Sequence, residues 1–211
     1  MSERLPNVIV VSAPSGVGKS TVLARVVETR PGLRFSVSHT TRPPRPGEMQ
    51  DVHYHFVDRP AFEKLVGEGR FLEHAQVHGH LYGTSVAEYE AATRERKDLL
   101  LDLDVQGARY LRGHFPDVVT IFILPPSYTD LVGRIRGRAQ DDADVIARRL
   151  EAAEEEMKSY REYDYALVND NLERCAATLA TIIEATQYRT SRMEPEGQKV
   201  LGTFPKRRIE R

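Results

Sequence analysis

The sequence predicts an α/β fold: a doubly wound parallel sheet that carries a small α+β insertion. Three observations predict it. Short apolar, β-branched runs alternate with stretches of helical periodicity. A glycine-bearing loop joins the first such run to the first helix. Between residues 38 and 97 the elements become short and are punctuated by Pro and Gly.

Residues 7–12 read NVIVVS, an apolar run bounded by turn residues, as expected of a strand buried on both faces. Residues 13–18 form a glycine turn. Val22, Leu23, Val26 and Val27 then follow at helical spacing until Pro31 and Gly32 stop them. A second strand is expected over 35–40. Three prolines and a glycine exclude regular structure from 41–47, TRPPRPG. Short strands are expected at 54–57 and 71–77, with a helix over 60–68 between them. Residues 85–96 read as a helix with Ser85 as its N-cap. Strands of the large sheet return at 98–104 (DLLLDLD) and 118–124 (VVTIFIL), each followed by a helical pattern. Over 145–160, Ile146, Leu150, Ala153, Met157 and Tyr160 share one helical face. A last strand at 166–169 precedes a helix marked by Leu172, Cys175, Ala176, Leu179 and Ile183. Residues 191–211 have weak periodicity and read as a tail. The expected division is a core of 1–37, 98–126 and 160–190, an insertion of 38–97, and a separate helical segment of 127–159.

Composition narrows the function classes. With 211 residues, 40% of them hydrophobic, the chain can bury one sizeable core, which excludes a wholly disordered protein. Fourteen Gly and 12 Pro without a fixed period exclude a collagen-like chain. No apolar stretch is long enough to cross a bilayer, and Ser12 and Pro14 interrupt the first one too early for a secretory signal. One cysteine, Cys175, makes no internal disulfide, so a cytoplasmic home is expected. Thirty basic against 31 acidic residues give a net charge of −1, so neither nucleic acid nor membrane is an expected partner. Lys206, Arg207 and Arg208 read as solvated tail. The pairs His53/His55 and His78/His80 share strand faces in this reading but lack a Cys cluster or helical HxxxH spacing, so no metal site is expected from them.

One motif carries chemistry on its own. Ala13, Pro14, Ser15, Gly16, Val17, Gly18, Lys19 and Ser20 fit the phosphate-loop pattern with alanine in the first glycine position, and Thr21 follows. Glycines let backbone N–H groups point inward at phosphate oxygens. Lys19 brings a positive charge to the β- and γ-phosphates, and Ser20 offers a hydroxyl to Mg²⁺. The strand before and the helix after supply the required context. The loop implies a nucleoside triphosphate donor and leaves the acceptor open.

The segments SAPSGVGKST, FSVSHTTRPPRPGE, FLEHAQVHGHLYGTS, LLLDLDVQGA, IFILPPS and YDYALVND, in that order and spacing, resemble the guanylate kinase family over about residues 7–188. The resemblance implies phosphorylation of GMP to GDP by ATP with Mg²⁺. It implies ATP contacts along 13–21 and at Asn169, near the adenine ring. The insertion is then the GMP site. Arg42 and Arg45 match the arginines that grip the GMP phosphate, where guanidinium forks donate paired hydrogen bonds. Tyr54 and Tyr82 match the tyrosines whose hydroxyls reach the same phosphate. Glu73 matches the carboxylate that accepts from guanine N1–H and the 2-amino group, and adenine would leave it unpaired. Ser38, Thr84 and Asp104 match further base-contacting positions. Asp102 matches the acid near Mg²⁺ and Ser20, acting through water. Acids at the end of an apolar strand are costly unless they have a task, and a helix cap is the bland alternative for one of them. Residues 127–159 become a mobile lid in which Arg134, Arg138 and Arg149 close over the transferred phosphoryl, with Arg136 left to solvent. Ala13, Leu81 and Ala139 depart from the family pattern. The expected partners are ATP and GMP, with dGMP a further candidate, in a monomer or weak homo-oligomer. Two readings compete: a non-catalytic guanylate-kinase-like binding module, and a kinase for another acceptor.

Overall fold

Burial on both faces puts residues 8–11 at the centre of a sheet, and that placement organises everything else. The structure is a computed structural model that describes residues 5–77, 79–138 and 143–205, with backbone alone at 138, 143 and 144. In chain order the elements begin with β1 (Val8–Ser12), α1 (Lys19–Thr29), β2 (Leu33–Phe35), β3 (His39–Thr40), β4 (His55–Phe56) and α2 (Arg59–Gly67). Next come β5 (Phe71–Val77), β6 (His80–Ser85), α3 (Val86–Glu95), β7 (Asp98–Asp102) and α4 (Val105–His114). The chain continues with β8 (Val119–Leu124), α5 (Tyr128–Arg138), α6 (Ala143–Lys158), β9 (Tyr165–Val168), α7 (Leu172–Thr186) and α8 (Thr190–Leu201).

Five strands form one parallel sheet in the order β2-β7-β1-β8-β9. Side chains alternate across a strand. Ile9 and Val11 therefore enter one core with Val22, Leu23 and Val26 of α1 and Leu179 and Ile183 of α7. Val8 and Val10 enter the other, with Ala92 of α3 and Leu111 of α4. Helices on both faces make the sheet doubly wound, as the sequence predicts. From β1 the chain crosses to β2 on one side, whereas β8 leads to β9 on the other. The divergence opens a crevice at the carboxyl ends of the central strands, where ligands of open α/β sheets bind. A second sheet of four strands, in the order β4-β3-β6-β5, is built from residues 39–85.

Five expectations need correction. The strand expected over 35–40 is two strands in two sheets. Phe35 pairs with Leu100, the Ser36 amide makes the last bond to the Leu100 carbonyl at 3.0 Å, and His39 then pairs with His55 and Gly83. The strand expected at 71–77 has an unexpected partner, β6; Gly79, at φ 84°, turns the chain back so that β6 pairs antiparallel with β5. The strand expected over 98–104 stops at Asp102, and Asp104 is already the N-cap of α4, accepting from the Gly107 amide at 2.9 Å. The tail holds a helix, α8. It buries no residue, so it shows little hydrophobic period, and pairs such as Gln198 with Glu194 support it along its own surface. Ser85 is the N-cap of α3 as expected, but its side chain makes no capping bond. His53 precedes β4 and bonds the Met49 amide, so it shares no strand face with His55. Cys175 is a buried core residue of α7.

Candidate active site

The phosphate loop lies between β1 and α1, at the crevice. Gly16 and Gly18 take positive φ, 89° and 96°, where side chains other than glycine are strained. Gly18 is the N-cap of α1 and offers no side chain to it. By contrast Asp58, Asp104 and Asn171 cap α2, α4 and α7 with side-chain oxygens. The first amides of α1 thus lack a side-chain partner, a state that suits an anionic ligand at the positive end of the helix. A Cβ on Gly16 would stand 2.5 Å from Ile135 Cγ1 of α5, so the loop and α5 pack too closely for any side chain. Gly16→Ala is expected to destabilise the protein by about 1–3 kcal/mol. Its thermal unfolding, compared with that of Gly47→Ala at an uncrowded positive-φ site, checks this.

Lys19 reaches across to β7. Its Nζ donates to the Leu103 carbonyl at 2.9 Å and ion-pairs with Asp102. Both side chains keep partial solvent access, so the pair can rearrange around a phosphate. Ser20 is exposed in the first turn of α1. Beside the loop a cavity of about 410 Å³ is lined by Val17, Gly18, Thr21, Arg134, Asn169 and Leu172, among others. This is the size range of small-ligand sites. Its wall is tied through one atom, the Val17 carbonyl. It accepts from Asn169 Nδ2 at 2.9 Å and from Arg134 Nη1 at 2.7 Å, while Arg134 Nη2 donates to the Asn169 carbonyl at 2.9 Å. Arg134 therefore braces this cavity in the structure. Arg149 is half-buried on α6 and Arg136 is exposed on α5. The side chain of Arg138 lies outside the described residues, as do Ala139, His78 and residues 206–208.

The second sheet supplies a different chemistry. Arg42 is buried, and its guanidinium donates to the Pro43 carbonyl and to Glu48 Oε1, both at 2.8 Å. It lies 5.5 Å from the centre of the Tyr54 ring. Tyr54 and Tyr82 pack edge to face with centroids 6.1 Å apart. Burial, and next the nearby Asp102 charge, push the Tyr54 hydroxyl up to about 12. It therefore stays a donor. Arg45 is exposed, and its amide donates to Glu48 Oε2 at 2.7 Å. Thus the structure brings Arg42, Tyr54 and Tyr82 together, with Asp102 linking them electrostatically to Lys19.

Glu73 is the buried acid of this sheet, 3% exposed. Its Oε1 accepts from the Thr84 amide at 2.9 Å across the β5–β6 pair. Burial raises its pKa to about 7, against the pull of the Thr84 hydroxyl and amide, and the Asp104 charge raises it further. Thr84 Oγ1 is itself buried without a hydrogen bond of good geometry. Buried polar atoms in that condition await a partner. Ser38 is half-buried just before β3. Asp104 offers less than expected: Oδ1 caps α4, and Gln106 Nε2 stands 3.4 Å from Oδ2.

A guanylate kinase family model matches residues 5–186. The chain belongs to the guanylate kinase family. It is 50% identical over 183 residues to a guanylate kinase of Alcanivorax borkumensis, covering 87% of this chain and 88% of that one. It is 49% identical over 186 residues to a guanylate kinase of Alkalilimnicola ehrlichii, covering 88% and 92%. The crystal structure of a guanylate kinase from Anaplasma phagocytophilum superimposes with a TM-score of 0.75 at 34% identity, over 90% of each chain. Membership makes the protein a nucleoside monophosphate kinase, and it favours the catalytic reading over the binding module.

Three features of this guanylate kinase fold have little or no signal in the sequence. Glu156 of α6 accepts from the Ser15 amide at 3.0 Å, joining residues 141 apart. The Val17 carbonyl gathers Arg134 and Asn169. Glu48 holds Arg42 beneath the tyrosines, and only its place at the end of the TRPPRPGE segment hints at it.

Proposed function

We propose that the protein transfers the γ-phosphoryl group of ATP to GMP, with residues 13–21, Arg134 and Asn169 serving ATP and residues 38–97 serving GMP. One observation carries the reading. Lys19 of the phosphate loop is held by Asp102 and the Leu103 carbonyl, and Asp104, next in the chain, meets Glu73 of the second sheet at Gly107. The two half-sites therefore adjoin.

Arg42, Arg45, Tyr54 and Tyr82 hold the GMP phosphate. Glu73, Ser38, Thr84 and Asp104 read the base. Ionised Glu73 accepts from both N1–H and the 2-amino group of guanine, and the Thr84 hydroxyl beside it supplies a further partner. A phosphate oxygen of GMP, already anionic, attacks the γ-phosphorus in line. The bond from that phosphorus to the β-phosphate oxygen breaks, and ADP leaves with the electron pair. No strong general base is needed. Lys19 leaves Asp102 for the phosphates and, with Arg138 and Arg149 of a 127–159 lid, stabilises the spread charge of the transition state. Lid closure excludes water, which would otherwise hydrolyse ATP.

Mg²⁺ fits the residues present. Ser20 and Asp102 are hard oxygen donors, and the described residues hold no cluster of three or more acidic, His or Cys side chains that would form a complete cage. That suits an ion held mostly by nucleotide phosphates and water. When bound, it neutralises charge on the β- and γ-phosphates. No helix among the described residues is long and apolar enough to cross a membrane, and a cytoplasmic setting supplies both nucleotides.

The test is the product. MgATP and GMP with the protein are expected to give equal amounts of ADP and GDP, resolved by chromatography. ADP and inorganic phosphate without GDP would contradict the proposal.

A further inference from the structure

We infer that Gly107 is a positioning residue for guanine recognition: its missing side chain is the space in which the Glu73 carboxylate sits. The inference rests on the base-reading role of Glu73 proposed above, and it adds a residue that touches neither substrate nor reacting atoms.

Gly107 stands in the first turn of α4, three residues after the Asp104 N-cap. Its φ is not positive, so backbone conformation does not demand glycine there. Inside a helix glycine is ordinarily a liability relative to alanine. Space supplies the reason for it. A Cβ at this position would lie 2.9 Å from Glu73 Oε2, 3.5 Å from Glu73 Cδ and 3.4 Å from Asp104 Oδ1. The first distance is closer than a methyl group and an oxygen tolerate. The obstructed group is the far end of a side chain, so the fold can yield. Yet the carboxylate cannot move freely, because its other oxygen is fixed by the Thr84 amide at 2.9 Å. Any methyl at 107 therefore rotates Oε2 away or draws Oε1 off Thr84.

The same turn fixes the second acid. The Gly107 amide donates to Asp104 Oδ1 at 2.9 Å, which holds Asp104 beside Glu73. Gln106 Nε2 stands 3.4 Å from the Gln76 carbonyl of β5, so α4 is also linked to the strand that carries Glu73. The start of α4 thus forms a floor under the base-reading pair.

The experiment compares Gly107→Ala, Glu73→Asp and the double variant by steady-state kinetics and thermal unfolding. Gly107→Ala is expected to raise the KM for GMP about 10-fold or more. The KM for ATP and the melting temperature should hold, and kcat should change much less than KM. Aspartate is one methylene shorter and retreats from the new methyl group. Adding Gly107→Ala to Glu73→Asp should therefore cost clearly less than its effect in the parent. An unchanged GMP KM in Gly107→Ala would overturn the inference, and so would a lowered melting temperature or effects that simply multiply in the double variant. Glu73→Gln separates this from the base-reading role. If Glu73→Gln leaves GMP turnover intact, the role of Glu73 fails. If Glu73→Gln is damaged and Gly107→Ala is not, only the floor fails.

Discussion

Replacing Lys19 with alanine is expected to lower kcat about 10²–10³-fold, the range for losing one preorganised charge at a transferring phosphoryl group. The fold should survive. Among the described residues Lys19 makes an ion pair to Asp102 and a bond to the Leu103 carbonyl, and both charged groups are partly solvated. The pair is therefore worth about 0–1 kcal/mol to stability. The KM for GMP should change little, because Tyr82 lies on β6 and Arg42 and Tyr54 flank β3 and β4 of the second sheet, away from the phosphate loop. Steady-state kinetics beside a melting curve check this, and turnover within about threefold of the parent would remove Lys19 from the mechanism.

Glu73→Gln is expected to move activity and stability in opposite directions. Activity falls because an amide offers guanine one acceptor and one mismatched donor in place of two acceptors. A loss of about 10²-fold or more in kcat/KM for GMP is expected, since sites built on such hydrogen bonds discriminate strongly. Stability rises. Glu73 has a folded pKa raised from 4.5 to about 7. Below pH 4.5 the carboxyl is neutral in both states and carries no penalty. As pH rises toward 7, the unfolded chain loses this proton first, so the folded state loses stability. Above about 7 the loss is complete, on the order of 3 kcal/mol at 1.36 kcal/mol for each pH unit. Glutamine has no charge to desolvate, so the variant should outlast the parent at pH 8 and match it at pH 4.5. Denaturant titrations at the two pH values measure this, and equal stabilities at pH 8 would contradict it. The same titration predicts that the parent's KM for GMP falls as pH rises from 6 to 8.

The parts of this protein that could be read from its sequence are those where one local cause decides the outcome. Residues 8–11 are fully buried and β-branched, so their period and their place in the sheet agree. The phosphate loop is contiguous, and both of its glycines take positive φ. β6 escaped because HLYGTS is half-buried, contains a glycine, and becomes a strand only through β5. α8 escaped because a helix that buries nothing writes no hydrophobic period. In the site, the apolar run before Asp104 reads as strand and leaves a cap as the alternative for Asp102 or Asp104; the turn that follows decides for a cap at Asp104. Arg134 is captured by main-chain carbonyls, which have no residue type to betray them. Gly107 depends on how α4 lies against β5, a tertiary fact.

The central claim is that one crevice joins a triphosphate loop to a guanine-reading sheet. Offering GMP, AMP, CMP and UMP separately with MgATP, and measuring ADP formation, tests it most directly. The account predicts rapid turnover with GMP and at most a trace with the other three. Comparable turnover with AMP would contradict the role given to Glu73, and no turnover with any of them, from folded protein that binds GMP, would contradict the kinase itself.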